Sequence, residues 1–392
     1  MRKLHALLLA ALFLTSSLII IGNPVSGATS QENTWIERAP MQQARSYLST
    51  ISFNEKIYAI GGNTQSGNPP YSGGIVGTNE EYNPATNKWV FKASMPTPRY
   101  EFAIAVFDNK IYCIGGNNGN GATNVTEVYN PTTDTWTTKK PMPTARDQLK
   151  ANVVDGKIYL IGGYDPDTSG YYSTLNEVYD PTTDSWTTKE SIPTATIEYA
   201  SAVIDNKIYI IGGHSGSLMS YTPELNQIYD TSADNWSNGT PLSGVIGVAA
   251  STTGELATKR IYVFGKDSTN IYDDENDRWS FGVSMPTKRS SFSVAAVKDL
   301  IYVIGGATST NPDGSEQIPF SNVAPTIRKY ATNEMYTPIG YGTPNSSNSQ
   351  TTESPSPSIP EFASWIIFQP LIILVTVSIL LVYFKKHKTK TD

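Results

Sequence analysis

The chain of 392 residues has one cysteine, Cys113, and three histidines, at positions 5, 214 and 387. A single cysteine excludes a disulfide framework within the chain. Cys113 stands in KIYCIGG, where sister segments carry Ala59, Leu160 and Ile210, and so reads as a small buried apolar residue. His5 and His387 fall in the terminal segments, which leaves His214 as the one histidine between them. Zinc or copper sites built on several histidines are thereby excluded. A Ser–His–Asp hydrolase would have to use His214, and no nucleophile-elbow sequence supports it. Charge is sparse at 16% of residues. Residues 29–360 carry 23 Lys and Arg against 33 Asp and Glu, a balance of −10 that argues against nucleic acid or anionic lipid as a partner of this region. No metal and no other cofactor is expected.

Tyrosine, tryptophan, glycine and proline are plentiful, at 23, 7, 30 and 25 residues, a composition of strands and loops. Two apolar runs mark the ends. Arg2 and Lys3 precede an apolar stretch, Ala6 to Ile21, and then VSGA, so residues 1–28 read as a signal peptide cleaved after Ala28, with an uncleaved anchor as the alternative. Residues 361–384 read as a transmembrane segment: Trp365 to Phe384 carries no charge over 20 residues, about 30 Å as a helix. The basic tail, 385–392, holds KKHKTK and is expected in the cytoplasm by the positive-inside rule. Everything between the two runs is then expected outside the cell, with the Ser/Thr/Pro-rich residues 341–360 as a stalk.

Between these ends the chain repeats itself. KIYAIGG, KIYCIGG, KIYLIGG, KIYIIGG, RIYVFGK and LIYVIGG place their first glycine at 61, 115, 162, 212, 265 and 305. A second element runs in phase: NEEYNPATNKW, TEVYNPTTDTW, NEVYDPTTDSW, NQIYDTSADNW and TNIYDDENDRW end at Trp89, Trp136, Trp186, Trp236 and Trp279. A third, MPTPR, MPTAR and MPTKR, ends at Arg99, Arg146 and Arg289. Each unit reads as four short strands: an apolar run such as Phe102 to Phe107, the IYCIGG type, the TEVYN type and the TWTTK type, separated by turn residues. Such a unit cannot bury both faces alone, so neighbouring units must stack radially.

Double Gly, then Tyr, then Trp in six copies over residues 35–340 resembles the kelch family; the Gly-His and Trp-Asp signatures of the similarly spaced WD40 repeats do not recur. The resemblance implies an all-β, six-bladed β-propeller over residues 29–340, expected as a monomer. The sixth unit ends at NEMYTP without a Trp-bearing strand, while NTWIERAPM at the start is an orphan fourth strand with Trp35 in the Trp place. The first strand is therefore expected to complete the last blade and remove an open edge. Kelch propellers include copper oxidases, but the metal set of two His, a modified Tyr and a nearby Cys is missing. PEF, Pro360 to Phe362, before the apolar span and basic tail resembles the sorting signal of some archaeal surface proteins.

Arg45, Arg99, Arg146 and Arg289 each follow the Pro-containing turn between blades, and Thr196 and Val245 replace them in blades four and five. A broken ring of guanidinium forks could hold a carboxylate or sulfate; the alternative is structural arginines that satisfy backbone carbonyls. The loops between second and third strands vary in length and hold Tyr71, Tyr164, Tyr171, Tyr172, His214, Tyr221 and Phe320, which suits contact with an extracellular protein or glycan. DPD, Asp165 to Asp167, is too short for a calcium motif. Asn124, Asn235, Asn238 and Asn345 head Asn-x-Ser/Thr glycosylation triplets. The function expected is a surface-displayed binding module. An extracellular carbohydrate-active enzyme of epimerase or lyase type, using a central pocket lined by Arg together with Glu or Tyr, is the alternative.

Overall fold

The computed structural model describes residues 31–64, 74–168, 170–215, 224–242, 248–310 and 326–342, all within one compact unit, Met1–Asn345. Six four-stranded antiparallel sheets make up the fold. Blade 1 comprises Ser49–Phe53, Lys56–Ile60, Asn79–Asn83 and Lys88–Lys92 from inside to outside. Blades 2 to 5 repeat this order with innermost strands Ala103–Phe107, Lys150–Val154, Ala200–Ile204 and Ala249–Thr252. In blade 6, Ser293–Val297, Leu300–Ile304 and Asn333–Thr337 come from the end of the ring, and the outermost strand is Thr34–Arg38 from its beginning. The six innermost strands touch one another in a closed circle.

The second strand of each blade is apolar on both faces because both faces are covered. In KIYCI, four of five residues are buried. Ile111 and Cys113 pack toward blade 1, and Tyr112 and Ile114 toward blade 3, as the period of two demands. The consequence is six separate cores, each shared by two neighbouring blades. Cys113 lies in one of them; burial pushes its thiol up to about 12, so it is an inert filler.

A clamp at the outer rim explains the Tyr and Trp of the second element. In blade 2, Asp134 sits in the left-handed region at φ 54°, where Asp and Asn are the side-chain-bearing residues best tolerated. Its Oδ1 accepts Tyr129 Oη at 2.6 Å and the backbone N–H of Ala93, at the exit of blade 1, at 2.8 Å. Trp136 Nε1 donates to the Ala93 carbonyl at 2.8 Å and its ring lies 5.1 Å from that of Tyr129. Asp184, Asp234 and Asp277 do the same in blades 3, 4 and 5, and Asn87 in blade 1. Ring closure uses the same parts. Trp35 pairs with Tyr336 across the sheet and bonds the Val283 carbonyl, while Asn33 accepts both Tyr336 Oη and the Val283 N–H.

One element departs from the sequence reading. The long sixth loop begins and ends as a hairpin, Ala307–Thr310 with Thr326–Lys329. No helix among the described residues is long and apolar enough to cross a membrane, and residues 1–30 and 343–392, with the expected leader, span and tail and all but the first two residues of the stalk, lie outside the described residues.

Candidate functional site on the Gly–Gly face

The double-glycine loops and the Arg-containing linkers meet on one face. Gly115 has φ 67°, and a Cβ there would stand 2.6 Å from the Arg146 carbonyl, so the backbone of blade 2 docks directly on that of blade 3. Gly116 N–H seals the contact to the same carbonyl at 2.9 Å. Gly306 docks on the Arg45 carbonyl in the same way at the closure, at 2.8 Å.

Arg45, Arg99, Arg146 and Arg289 are all 0% exposed. Their guanidinium groups point into their own blades and pair with Glu80 at 2.9 Å, Glu127 at 2.5 Å, Glu177 at 2.7 Å and Glu334 at 2.5 Å. The remaining Nη donors go to backbone carbonyls such as Ala59, Cys113, Leu160 and Val303. The ligand-binding assignment of these arginines is therefore corrected to the structural alternative: the Nη donors of each fork are met by the chain itself, Arg289 Nε donates to the Gly305 carbonyl, and the Nε of Arg45, Arg99 and Arg146 is buried without a hydrogen-bond partner among the described residues. The glutamates escaped the sequence reading, although the signal was present. Where Thr196 replaces arginine in blade 4, Gln227 replaces the glutamate, and blade 5 has Asn270 in that place. Charge and countercharge are kept or dropped together.

Two residues beyond each arginine, and beyond Thr196 in blade 4, the chain again turns left-handed. Tyr47, Glu101, Gln148, Glu198 and Ser291 have φ between 54° and 55°. Their peptides form a belt on the innermost rim: Tyr47 N–H donates to Ser291 O, Glu101 N–H to Tyr47 O and Gln148 N–H to Glu101 O. Side chains at this position differ from blade to blade, and so do those just outside it. Asp147 of blade 3 is buried and bonds Asn117 of blade 2 at 2.9 Å. Burial pushes its carboxyl up to about 6. Burial, together with the charges of Glu198 and Asp147, holds the Glu101 carboxyl well above the usual carboxylate range.

The aromatics lie around this belt. Tyr47 and Tyr100 are half-buried with rings 5.9 Å apart, and Lys329 from the hairpin stands 5.5 Å over Tyr47. Tyr164 stacks on Tyr171 at 5.7 Å, and Tyr171 is 44% exposed. His214 is half-buried with Nε2 3.4 Å from Glu198 Oε2. Tyr71, Tyr221 and Phe320 fall outside the described residues. Asp165 spends its carboxylate on its own turn, accepting Asp167 N–H and Thr168 Oγ1. No group of three or more His, Cys, Asp or Glu suited to a metal occurs among the described residues. Of the glycosylation candidates, Asn235 and Asn238 are exposed on the outer strand of blade 4, Asn124 is half-buried, and Asn345 lies outside the described residues.

Residues 44–96 and 98–143 match the Kelch motif, and residues 137–306 match the KLHDC2/KLHL20/DRC7 Kelch-repeats domain. Among curated proteins, the human Influenza virus NS1A-binding protein is 40% identical over 92 residues, 23% of this chain and 13% of that protein. Human Kelch-like protein 33 is 35% identical over 92 residues, 24% of this chain and 16% of its own length. Alpha-scruin of Limulus polyphemus is 34% identical over 82 residues, 21% and 8% of the two chains. The matches thus span a sixth or less of these relatives. The solved structure of YjhT shares the fold at a TM-score of 0.57 and 17% identity, over 74% of this chain and 99% of that one.

Proposed function

The chain belongs to the kelch-repeat propellers, and from that premise we propose that it is a binding module that recognises protein or carbohydrate through its Gly–Gly face. The observation that carries this reading is the division of labour on that face. Residues common to the blades, the arginines and glycines, are consumed by the fold, while residues that differ, notably Tyr47, Tyr100, Tyr164, Tyr171 and Tyr172, keep part of their surface open. Half-open tyrosines beside Asn, Ser and carboxylates provide flat apolar area with polar edges at low entropic cost. One relative is, by its name, a protein-binding protein, which accords with the class. The enzyme alternative called for a central pocket lined by Arg together with Glu or Tyr, and the four arginines are fully buried and paired with glutamates inside their own blades. We further propose display outside the cell by a single C-terminal span, on the strength of the leader, the uncharged run and the basic tail in the sequence.

The test is capture by the full chain on glycan and peptide arrays. Tyr164→Ala with Tyr171→Ala is compared with Phe281→Ser, a change at a 74% exposed residue on the outer strand of blade 5. Capture lost only in the tyrosine variant supports the face. Capture indifferent to the tyrosines, or lost equally in the rim variant, overturns it.

A further inference from the structure

Lys150 is the only charged residue in the six innermost strands. The equivalent positions in the other blades carry Ser49, Ala103, Ala200, Ala249 and Ser293, all small. It is the first residue of its strand, paired with Ile161 just before Gly162, so it lies at the Gly–Gly end of the ring's inner wall. Its backbone N–H is fixed by Tyr199 Oη at 3.1 Å. The belt positions on either side hold Glu101 of blade 2 and Glu198 of blade 4. Three consecutive blades thus present carboxyl, ammonium, carboxyl.

These groups act on one another without closing up. Burial lowers the affinity of Lys150 for its proton, and Glu101 and Glu198 oppose that effect, so both acids stand near the ammonium. Yet the ammonium makes no hydrogen bond or ion pair with any described residue, and Lys150 keeps part of its surface open. A second observation is independent of the charges in the open. Asp147 is 1% exposed, and its Oδ1 has no hydrogen-bond partner among the described residues. Its carboxylate stands on the Glu101 side, where its charge acts on the Glu101 carboxyl. Gln148 Oε1, between them on the belt, is likewise buried and unpartnered among the described residues. A buried acceptor left bare costs free energy that a ligand donor recovers.

We propose that Lys150, Glu101, Glu198 and Asp147 form an off-axis site for the hydroxyl groups of a neutral sugar ring, with the Tyr164–Tyr171 stack alongside. The ammonium offers donors, and the carboxyl groups and Gln148 Oε1 offer acceptors, at several points on one rim. A polyol, in which every oxygen both donates and accepts, can satisfy both kinds at once. With Glu101 held toward its neutral form by burial, Glu198 and Asp147 still outnumber the single ammonium, so an acidic sugar is disfavoured. This inference rests on the Gly–Gly face being the binding face and names its ligand class and residues.

The test is titration of the full chain with galactose, mannose and N-acetylglucosamine, and with glucuronate as the anionic arm, followed by saturation-transfer NMR. Lys150→Ala copies blades 2, 4 and 5 and should keep the fold; Glu198→Gln keeps the shape. Each is expected to weaken binding of a neutral sugar by about tenfold or more, the loss attached to a hydrogen bond with a charged group. Glucuronate is expected to bind more weakly than the neutral sugars. Neutral-sugar binding unchanged in Lys150→Ala, or a preference for glucuronate, overturns the proposal. Array capture that depends on Tyr164 and Tyr171 but not on Lys150 overturns the sugar site alone and leaves the binding face standing.

Discussion

Blade 4 supplies a natural control for the buried ion pairs. Glu177 is 4% exposed and its partner Arg146 is 0% exposed, so Glu177→Gln leaves a guanidinium charge inside the protein without a countercharge. The expected loss is about 3–5 kcal/mol. Arg146→Thr strands Glu177 in the same way and is expected to cost a similar amount. The double variant writes into blade 3 the pair that blade 4 already uses, Thr196 with Gln227. There Thr196 Oγ1 donates to the Gly212 carbonyl, and Gln227 closes a two-way bond with the backbone of Thr194. In the double variant the threonine hydroxyl can take the Gly162 carbonyl as Thr196 takes that of Gly212, but the Arg146 bonds to the carbonyls of Leu160 and Leu175 are lost. At about 1 kcal/mol for each, it should cost about 2 kcal/mol, less than either single change. The coupling within the pair is then several kcal/mol, well outside additivity. Denaturant unfolding followed by tryptophan fluorescence reads this directly, since every blade carries one Trp at its rim clamp. At roughly 2 °C per kcal/mol for a domain of this size, melting should fall by about 6–10 °C for each single variant and by about 4 °C for the double. Single losses under about 1 kcal/mol, or a double loss equal to the sum of the two, would refute the reading of these arginines as buried struts.

Trp35→Asp removes the closing Trp bond to Val283 and the ring contact with Tyr336 at 5.0 Å; it should destabilise the whole propeller more than Asn235→Ser on an exposed outer strand, and equal melting temperatures would count against closure by the first strand. Asp134, Asp184, Asp234 and Asp277 are held below the ordinary carboxylate value, first by the tyrosine hydroxyl each accepts. A depressed folded-state value contributes stability that is complete above the unfolded value of about 4 and is lost as pH falls through the folded one. Replacing all four by Asn keeps the Oδ1 acceptor, as Asn33 and Asn87 already do, and should flatten the loss of stability below about pH 4; an unchanged acid limb in pH-dependent denaturation would contradict this.

The strand pattern and the closure could be read from the sequence because both follow from local chemistry repeated in register. KIYxI is apolar on alternate and intervening positions alike only where both faces are covered, and a Trp strand missing from the end and present at the start can pair in only one sheet. The role of the arginines could not be read from their own motif. A surface fork and a buried one look the same in the Pro-containing turn, and the difference lies in the glutamate 28 to 45 residues on, visible only when Gln227 and Asn270 are aligned with Thr196 and Val245. The turn PTTD read as an ordinary turn, whereas the left-handed φ of Asp134 aims its carboxylate at the neighbouring blade. The hairpin from Ala307 to Lys329 lacks the apolar alternation that marks a half-buried strand, so its ends read as loop.

In a ring of near-identical units, a residue that recurs in every blade has the same neighbours every time, and those neighbours are the fold. The Gly–Gly pair, the Tyr–Asp–Trp clamp and the Arg–Glu strut each find their partners within one blade or the next, which leaves them little to offer a ligand. Departures from the repeat have no such obligation. Lys150 stands where five blades have Ser or Ala, Glu101 and Glu198 stand where others have Tyr, Gln, Gly or Ser, and Asp147 stands where others have Ser46, Tyr100, Ile197 and Ser290. Each adds a desolvated charge that the architecture does not require, since five other inner strands close the same circle without one. Three of these departures fall on adjacent blades and lean on one another electrostatically, so their cost is concentrated at one sector of one face. A stability cost gathered at a single place, against a background that shows how cheaply the same positions can be filled, is the physical ground for placing recognition there and not on the more conspicuous arginines.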